Sequence, residues 1–240
     1  EVDLVQAVAA PLPVMVIAEM LGVEDGDVAT FKAWSDEIFS NIGEILFGTA
    51  SPESEAAAAE MNAYFLQRIN HLRRNPNNHL LGQLVTIETE DGRLDDEELL
   101  SFCRLLLIAG NETTTGLITA SARIFHEEPQ TLAQIKQRPE LSGAFVEEAL
   151  RYYSPFSATV RRTTKDVELA GQTIGAGELV VPLIASANRD ERVFDAPDTF
   201  GMERSPNPHL GMGFGIHFCL GAHLARLEGK IVVEQMAERY

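Results

Sequence analysis

The feature that most constrains the fold is a long apolar stretch in the middle of the chain. It runs from Leu99 to Phe125 and ends before Pro129, a residue that a helix interior does not tolerate. Asp95, followed three residues later by Glu98, matches the pattern of a capping box at a helix start. The sequence therefore predicts one long helix over this stretch.

A polar insert, AGNETTT, separates the two apolar halves of that helix. Gly110 lowers helix stability, and threonine hydroxyls compete for backbone carbonyls and bend helices. An acid and a hydroxyl among apolar turns need partners, so Glu112 and Thr113 are candidate functional residues. A polar patch that faces solvent is the alternative interpretation, and it suffices for Asn111 and Thr115.

The second informative segment is HLGMGFGIHFCLGAHLAR, residues 209–226, in which one cysteine follows three spaced glycines. The apolar run from Cys219 to Val233 predicts a helix whose first turn contains Cys219. Unpaired N–H groups and the helix dipole lower the pKa of a thiol there, and the thiolate is the form that binds metals. A soft thiolate ligand suits iron.

Other interpretations of this segment remain open from the residues alone. A dinucleotide-binding loop is excluded because Ile216 or Phe218 stands where its third glycine is needed. Zinc could bind to four side chains: His209, His217, Cys219 and His223. Structural zinc sites usually pair two cysteines in each short knuckle, which disfavours that site. A nucleophilic cysteine or a buried structural cysteine would also be compatible with the pattern.

A third pattern, EEALR, lies on a helix that Pro139 opens and Pro155 follows. Helical periodicity directs Glu148 into the apolar face of this helix and Glu147 away from it. A buried carboxylate needs a cation, and Arg151 lies within reach three residues later. An ordinary surface pair is the alternative.

The remaining pattern predicts a mainly helical chain with a small β part. Two helices, PLPVMVIAEMLGV and residues 27–47, precede a third that Pro52 begins. After Pro155 the sequence pattern predicts short strands, up to about residue 185. We expect a single domain over residues 1–240: helical to 155, then strands, then the loop at 209–221 and a final helix.

Composition sets limits on location and partners. A chain of 240 residues with 45% hydrophobic content can bury one substantial core. The net charge of −17 argues against nucleic acid and against anionic membranes. Arg104 and Glu112 disfavour a membrane span in the long helix, and the pattern contains no signal peptide, so we expect a cytoplasmic protein. Cys103 is expected to fill the core.

With these motifs in place, the chain resembles the cytochrome P-450 family of haem-thiolate monooxygenases. Gly213, His217, Cys219 and Gly221 match its haem-ligand loop, and Met212 stands where the family has phenylalanine. The resemblance implies that Cys219 is the axial ligand of the iron in haem b and that His217 contacts a haem propionate. It implies a mainly α fold with a small β part.

The resemblance assigns roles to the other motifs as well. Ala109 and Gly110 would leave room for dioxygen above the haem, while Glu112 and Thr113 would relay protons to it. Arg161 corresponds to a second propionate-binding position, which suits a planar guanidinium. The residues from Phe156 to Val160 would line the substrate pocket. Three residues would be structural, beneath the haem loop: Glu148, Arg151 and Arg204.

The implied activity is insertion of one oxygen atom from O₂ into an apolar organic substrate, with electrons from a ferredoxin- or flavodoxin-type donor. By the same resemblance the fold is incomplete, because the first helices and strands and a terminal hairpin of the family have no counterpart in these residues. Two alternatives stay open. One is a haem-thiolate peroxygenase or small-oxide reductase, and the other is a fragment without haem or activity.

Overall fold

The structure, a computed structural model, describes residues 2–41, 43, 49–89 and 92–240. A π-helical turn at Val5–Ala9 leads into helix α1, Pro11–Leu21, which ends at Gly22 with a φ of 69°. A left-handed residue of this kind is the usual helix C-cap, and glycine adopts it without strain. Helix α2, Val28–Ser40, follows a short 3-10 turn; the predicted continuation of this helix to residue 47 lies largely outside the described residues.

Helix α3, Pro52–Arg74, begins where the sequence predicts a helix start. The Ser51 hydroxyl accepts a hydrogen bond of 3.1 Å from the Ser54 N–H, which satisfies one of the unpaired donors of the first turn. Acidic residues in the first turn and basic residues in the last complement the helix dipole. A short helix, α4 at Leu80–Leu84, and the antiparallel strands β1, Glu88–Thr89, and β2, Gly92–Arg93, complete this region.

The long central helix is present as predicted. Helix α5 spans Asp96–Glu127, 32 residues, and the capping box is formed in both directions. The Asp95 N–H donates to Glu98 Oε2 over 2.9 Å, and the Glu98 N–H donates to Asp95 Oδ1 over 2.8 Å. Two backbone donors are thereby paired at the helix start. Cys103 lies in this helix and is fully buried, as expected of a core residue.

Helices also follow the prolines at 129 and 139. Helix α6 is Pro129–Gln137, a 3-10 turn occupies Pro139–Leu141, and helix α7 is Ser142–Tyr153. Pro139 therefore opens the 3-10 turn that precedes α7 rather than α7 itself. The short strands expected after Pro155 are β3 at Arg161–Arg162, β4 at Val167–Leu169, β5 at Gln172–Ile174 and β6 at Leu179–Val180.

These strands form two separate antiparallel ladders. Strand β3 pairs with β6, and β4 pairs with β5 through the tight turn at 170–171. A short helix, α8 at Ile184–Ala187, follows, and a long irregular segment leads to the final helix α9, Ala222–Arg239. The prediction of a mainly helical fold with a small β part is confirmed.

Contacts divide the chain into two compact units, a first unit of residues 1–115 and a second unit of residues 116–240. Phe31 and Phe65 meet edge to face within the first unit, with 5.9 Å between ring centroids. In the second unit, α7 and α9 bury an apolar core that includes Phe145, Val146 and Val233. Gly229 allows α9 to approach closely, because a Cβ there would come within 2.9 Å of Leu117 Cδ2.

Across the described residues, we find no helix whose length and hydropathy together would suit a bilayer crossing.

Candidate functional site

The glycine-rich loop before α9 is held in one backbone conformation by its own hydrogen bonds. Gly213 has a φ of 75°, and a Cβ at this position would come within 2.9 Å of the His217 carbonyl oxygen. Such a backbone is accessible to glycine and strained for other residues. The Cys219 N–H donates to the Met212 carbonyl over 2.8 Å, which closes the loop, while the Met212 side chain is buried in the core of the second unit.

The sequence pattern predicted Cys219 in the first turn of the final helix, and this prediction is wrong: Cys219 lies before the helix. Helix α9 begins at Ala222 with Gly221 as its N-cap, so Cys219 stands two residues before the cap. Its carbonyl accepts a hydrogen bond of 3.3 Å from the Ala222 N–H. The apolar run in the sequence begins before the helix does. Phe218 and Leu220 belong to that run, but their side chains are exposed rather than buried in the core. The thiol is exposed to solvent.

Exposed apolar side chains flank this exposed thiol in the sequence. They are exposed by at least half: Phe214 at 83%, Ile216 at 97%, Phe218 at 50% and Leu220 at 67%. Contiguous exposed apolar groups of this kind mark binding surfaces. The surface around Cys219 is therefore suited to an apolar ligand that a soft donor anchors.

A buried charge network lies beneath the loop, on α7. Both side chains of the pair Glu148 and Arg151 are fully buried. Arg151 binds the carboxylate with two parallel hydrogen bonds, Nε to Oε2 over 2.8 Å and Nη2 to Oε1 over 2.7 Å. Arg204 Nε adds a bond of 3.1 Å, and the Gly201 N–H and Asn207 Nδ2 donate as well. The predicted association of Glu148 with Arg151 and Arg204 is present.

Burial raises the pKa of Glu148, but the hydrogen bonds from Arg151, Gly201 and Arg204 outweigh it and hold that pKa below its ordinary value. Arg151 also donates to the carbonyls of Asn188, Pro197 and Thr199, over 3.0, 2.8 and 3.1 Å. One buried carboxylate and one guanidinium thereby fasten the irregular segment between α8 and the glycine loop to helix α7.

The neighbouring acid, Glu147, was expected to point away from the apolar face of α7; it is half-buried and binds two distant residues. Its carboxylate binds Arg226 of α9 through Nε and Nη2 over 2.6 and 2.9 Å, and His209 Nε2 over 3.1 Å. These partners lie 79 and 62 residues away in the sequence, so no local pattern on α7 indicates them. Sequence reasoning missed that Glu147 binds both His209 and Arg226, which lie on either side of Cys219 in the sequence.

The acid and hydroxyl of the polar insert lie on a continuous stretch of α5, in the first unit. Thr113 Oγ1 donates to the Ala109 carbonyl over 2.7 Å, which leaves the hydroxyl oxygen as an acceptor. Glu112 is half-buried. Burial raises the pKa of its carboxyl, the charge of Asp36 raises it further, and Lys32 partly opposes both. A raised pKa makes this carboxyl a better proton acceptor than an ordinary glutamate.

Two other residues of the insert are not the surface patch that the alternative interpretation described. Asn111 is fully buried, and its Nδ2 donates to Ser35 Oγ of α2 over 2.8 Å. Thr115 is buried too, and its hydroxyl donates to the Ala9 carbonyl over 3.0 Å. A Cβ at Gly110 would come within 3.0 Å of Ile17 Cδ1, so glycine there lets α1 pack closely. The insert therefore joins α5 to its neighbours in the first unit.

The two cationic candidates lie in the second unit, on its surface. Arg161, on β3, donates to Thr159 Oγ1 over 2.9 Å and to the Val160 carbonyl over 2.8 Å. His217 ends the 3-10 turn Gly215–His217 and is exposed. Arg162, beside Arg161, donates to the Gly177 carbonyl instead, over 2.7 Å. Arg161 and His217 remain available to acidic groups of a ligand.

The zinc alternative finds no support in the residues that the structure describes, where no three His, Cys, Asp or Glu side chains form a metal-binding group. His209 is committed to Glu147 through Nε2 and to the Gly211 N–H through Nδ1. The residues fit haem instead. Cys219 offers one soft exposed donor, and the side chains that flank it in the sequence are apolar and exposed.

Comparison with known proteins agrees with this geometry. The family model described as cytochrome P450 matches residues 28–240. Cytochrome P450 YjiB of Bacillus subtilis is 41% identical over 243 residues, which cover 100% of this chain and 61% of that protein. The chain thus spans about three fifths of the length of such relatives, which agrees with the expected incomplete fold.

Solved structures agree as well. CYP109E1 from Bacillus megaterium, in complex with testosterone, matches with a TM-score of 0.90 and 42% identity, covering 100% of this chain and 64% of that one. P450BioI, in complex with an acyl carrier protein that carries hexadec-9Z-enoic acid, matches with a TM-score of 0.92 and 38% identity, covering 99% of this chain and 61% of that one.

Proposed function

The chain belongs to the cytochrome P450 family, and from this membership we propose that the protein of which it is part is a haem-thiolate monooxygenase. One oxygen atom of O₂ enters a C–H bond of an apolar organic substrate and the other leaves as water, with two electrons and two protons consumed. The observation that carries the proposal is the exposed Cys219 thiol, set among exposed apolar side chains in a loop that Gly213 shapes.

Five residues of the second unit would contribute to a site for haem b. Cys219 would supply the thiolate ligand of the iron, in the loop that Gly213 shapes and that Gly221 joins to α9. His217 and Arg161 bind the two propionates, since both are exposed donors. When bound, haem supplies a redox-active iron that reduces dioxygen, and a thiolate ligand favours cleavage of the O–O bond.

Proton supply is assigned to the polar insert of α5. Glu112 exchanges protons with solvent, because its carboxyl is half-buried and its pKa is raised. The Thr113 hydroxyl donates its one proton to the Ala109 carbonyl and can accept a hydrogen bond at its oxygen; in the relay its O–H would turn away from that carbonyl to donate. Ala109 is small and adds little bulk to this stretch, whereas Gly110 faces Ile17 of α1. This pair favours a monooxygenase over a peroxygenase or small-oxide reductase, which would ordinarily dispense with the acid and the alcohol.

Glu148, Arg151 and Arg204 are assigned a structural role. Their network binds the backbone carbonyls of Asn188, Pro197 and Thr199 on the way to the glycine loop. No member of the network is exposed by more than 13% in its side chain, so none is accessible to a substrate.

The substrate class is apolar. Phe156 to Val160, mostly small or apolar side chains, would line the pocket. The related structures hold testosterone in one case and an acyl chain on a carrier protein in the other, both largely hydrocarbon. We propose a free apolar small molecule here, with a ferredoxin- or flavodoxin-type protein as the electron donor.

The test of thiolate ligation is the carbon monoxide difference spectrum of the reduced full-length protein. Cys219→Ser should abolish the band at about 450 nm that thiolate-ligated haem gives. Cys103→Ala, at the other cysteine, should leave the band in place because Cys103 is buried in α5. A band that survives in Cys219→Ser, or no haem absorbance in the unaltered protein, would contradict the proposal.

The proton relay is tested by the coupling of electron consumption to product. Thr113→Val removes the hydroxyl with little change of shape, and we expect product per electron to fall several-fold while peroxide rises. Thr115→Val is the matched control, since its hydroxyl binds the Ala9 carbonyl. Equal coupling in both variants and the unaltered protein would show that Thr113 relays no protons.

A further inference from the structure

One carboxylate, that of Glu147, connects both ends of the segment that carries Cys219. His209 stands ten residues before the cysteine, and Arg226 stands seven residues after it. The Glu147 oxygens bind Arg226 Nε over 2.6 Å and Nη2 over 2.9 Å, and His209 Nε2 over 3.1 Å. His209, at the start of the loop, and Arg226, in the helix that follows the loop, thus bind the same side chain of α7.

His209 also forms a hydrogen bond with the backbone of the loop. The Gly211 N–H donates to His209 Nδ1 over 3.1 Å, so Nδ1 is an acceptor and the proton of a neutral ring lies on Nε2, directed at Glu147. The His209 side chain is only 3% exposed, which leaves water little access to these bonds. A Cβ at Gly211 would come within 2.9 Å of the Leu150 carbonyl oxygen, so the loop packs directly against α7 at this point.

The charge state of the carboxylate supports a lasting contact. Burial raises the pKa of Glu147, but the hydrogen bonds from His209 and Arg226 outweigh it and lower the pKa to about 2. Arg226 has a raised pKa, chiefly through its hydrogen bond to Glu147. Charge-assisted bonds of this bidentate kind restrict orientation as well as distance.

We propose that Glu147 is a positioning residue for the iron ligand: by joining His209 and Arg226 it closes the loop and fixes the Cys219 thiol relative to α7. This inference rests on the proposed haem-thiolate function. The role differs from that of its neighbour Glu148, whose partners lie at Gly201, Arg204 and Asn207, before the loop begins.

The test uses the full-length protein with Glu147→Gln, which keeps the shape and removes the charge. We expect the fraction of haem in the thiolate-ligated form to fall and the iron midpoint potential to shift. In the haem-free form of the same protein, alkylation of the Cys219 thiol should change in rate by about tenfold, the factor that loss of one charge-assisted bond corresponds to. Lys230→Met is the matched control, because Lys230 pairs with Glu234 on the same helix and not with the loop.

Arg226→Gln removes the charge of the other partner in the same ion pair and should change the thiolate-ligated fraction, the midpoint potential and the alkylation rate in the same way. This variant provides the test if Glu147→Gln does not fold. A potential, spectrum and alkylation rate that match those of the Lys230→Met control would overturn the proposal. That outcome is distinct from failure of the proposed function, which would appear as a thiolate band that persists in Cys219→Ser.

Discussion

At the residue scale, the two adjacent acids of α7 show how one step along a helix changes the role of a carboxylate. Glu148 is fully buried and is surrounded by donors from its own helix and from residues 201–207. Glu147 is half-buried and binds the two ends of the cysteine loop. Successive helical positions point about 100° apart, so the pair serves two different segments of chain.

Loss of the Glu148 charge should be among the most destabilising single changes in the second unit. Glu148→Gln would leave Arg151 buried without its counter-charge, and breaking one partner of a buried ion pair costs about 3–5 kcal/mol. The measurement is urea unfolding followed by far-ultraviolet circular dichroism. Glu140→Gln is the control, because its pair with Arg138 is exposed on the surface and contributes little. Similar midpoints for the two variants would contradict the structural role.

At the element scale, the bounds of the long helix α5 and the backbone conformation of the glycine loop both depend on residues close in sequence, but in different ways. The helix begins at a reciprocal capping box and ends before Pro129, so its bounds follow from short-range chemistry. The loop depends on backbone conformations that few residues adopt. Gly213 and Gly215 both have positive φ, at 75° and 65°, yet only Gly213 is in close contact with other backbone.

Alanine at these two glycines should therefore have unequal effects. Gly215→Ala incurs only the left-handed backbone, a cost of roughly 1–2 kcal/mol. Gly213→Ala incurs the same cost and also brings a Cβ within 2.9 Å of the His217 carbonyl oxygen. Because that oxygen belongs to the backbone, the close contact can be relieved only if the backbone moves. We expect Gly213→Ala to lose more haem and to unfold at the lower temperature, as measured by absorbance and by thermal melts. The reverse order would show that the loop differs from the one described.

At the scale of the whole molecule, ionisable groups with opposite shifts set the dependence of stability on pH. The pKa of Glu147 is lowered from 4.5 to about 2, and that of Glu148 is lowered as well. Burial raises the pKa of Glu228, on α9, from 4.5 to about 7. Glu228 Oε2 is buried and has no hydrogen-bond partner among the described residues.

Stability should accordingly be greatest at mildly acidic pH. The groups with lowered pKa stabilise the fold above pH 4.5, and this contribution is lost as the pH falls towards about 2. Glu228 has the opposite effect: above pH 4.5 its carboxyl ionises in the unfolded chain but stays protonated in the fold, so its contribution to stability is lost as the pH rises through about 7. The net charge of −17 adds repulsion on the alkaline side.

Glu228→Gln isolates the alkaline side of this profile. Because Gln does not ionise, the variant should avoid a loss on the order of 3 kcal/mol between pH 4.5 and pH 8, the equivalent of the Glu228 shift. Urea midpoints at pH 3, 5 and 8 provide the measurement. A variant that loses as much stability as the unaltered protein between pH 5 and 8 would show that Glu228 does not carry a raised pKa.

Features that depend on near neighbours could be predicted from the amino-acid sequence. These include the start and end of α5, the serine cap of α3, the short strands after Pro155, and the i,i+3 pairing of Glu148 with Arg151. The physical reason is that caps, glycine turns and helix periodicity act over a few residues. The family resemblance rests on such local motifs, and the comparisons confirm it.

Tertiary structure alone decided which distant groups meet. The partner of Asn111 is Ser35, 76 residues away, and that of Glu147 is Arg226, 79 residues away. Strands β1 and β2 pair only two residues each, too few for a recognisable alternation. Cys219 lies two residues before the N-cap of α9, and its N–H binds the Met212 carbonyl, a contact that only the closed loop creates. A polar side chain on a helix shows that it needs a partner, and only the packing of other elements against it supplies one.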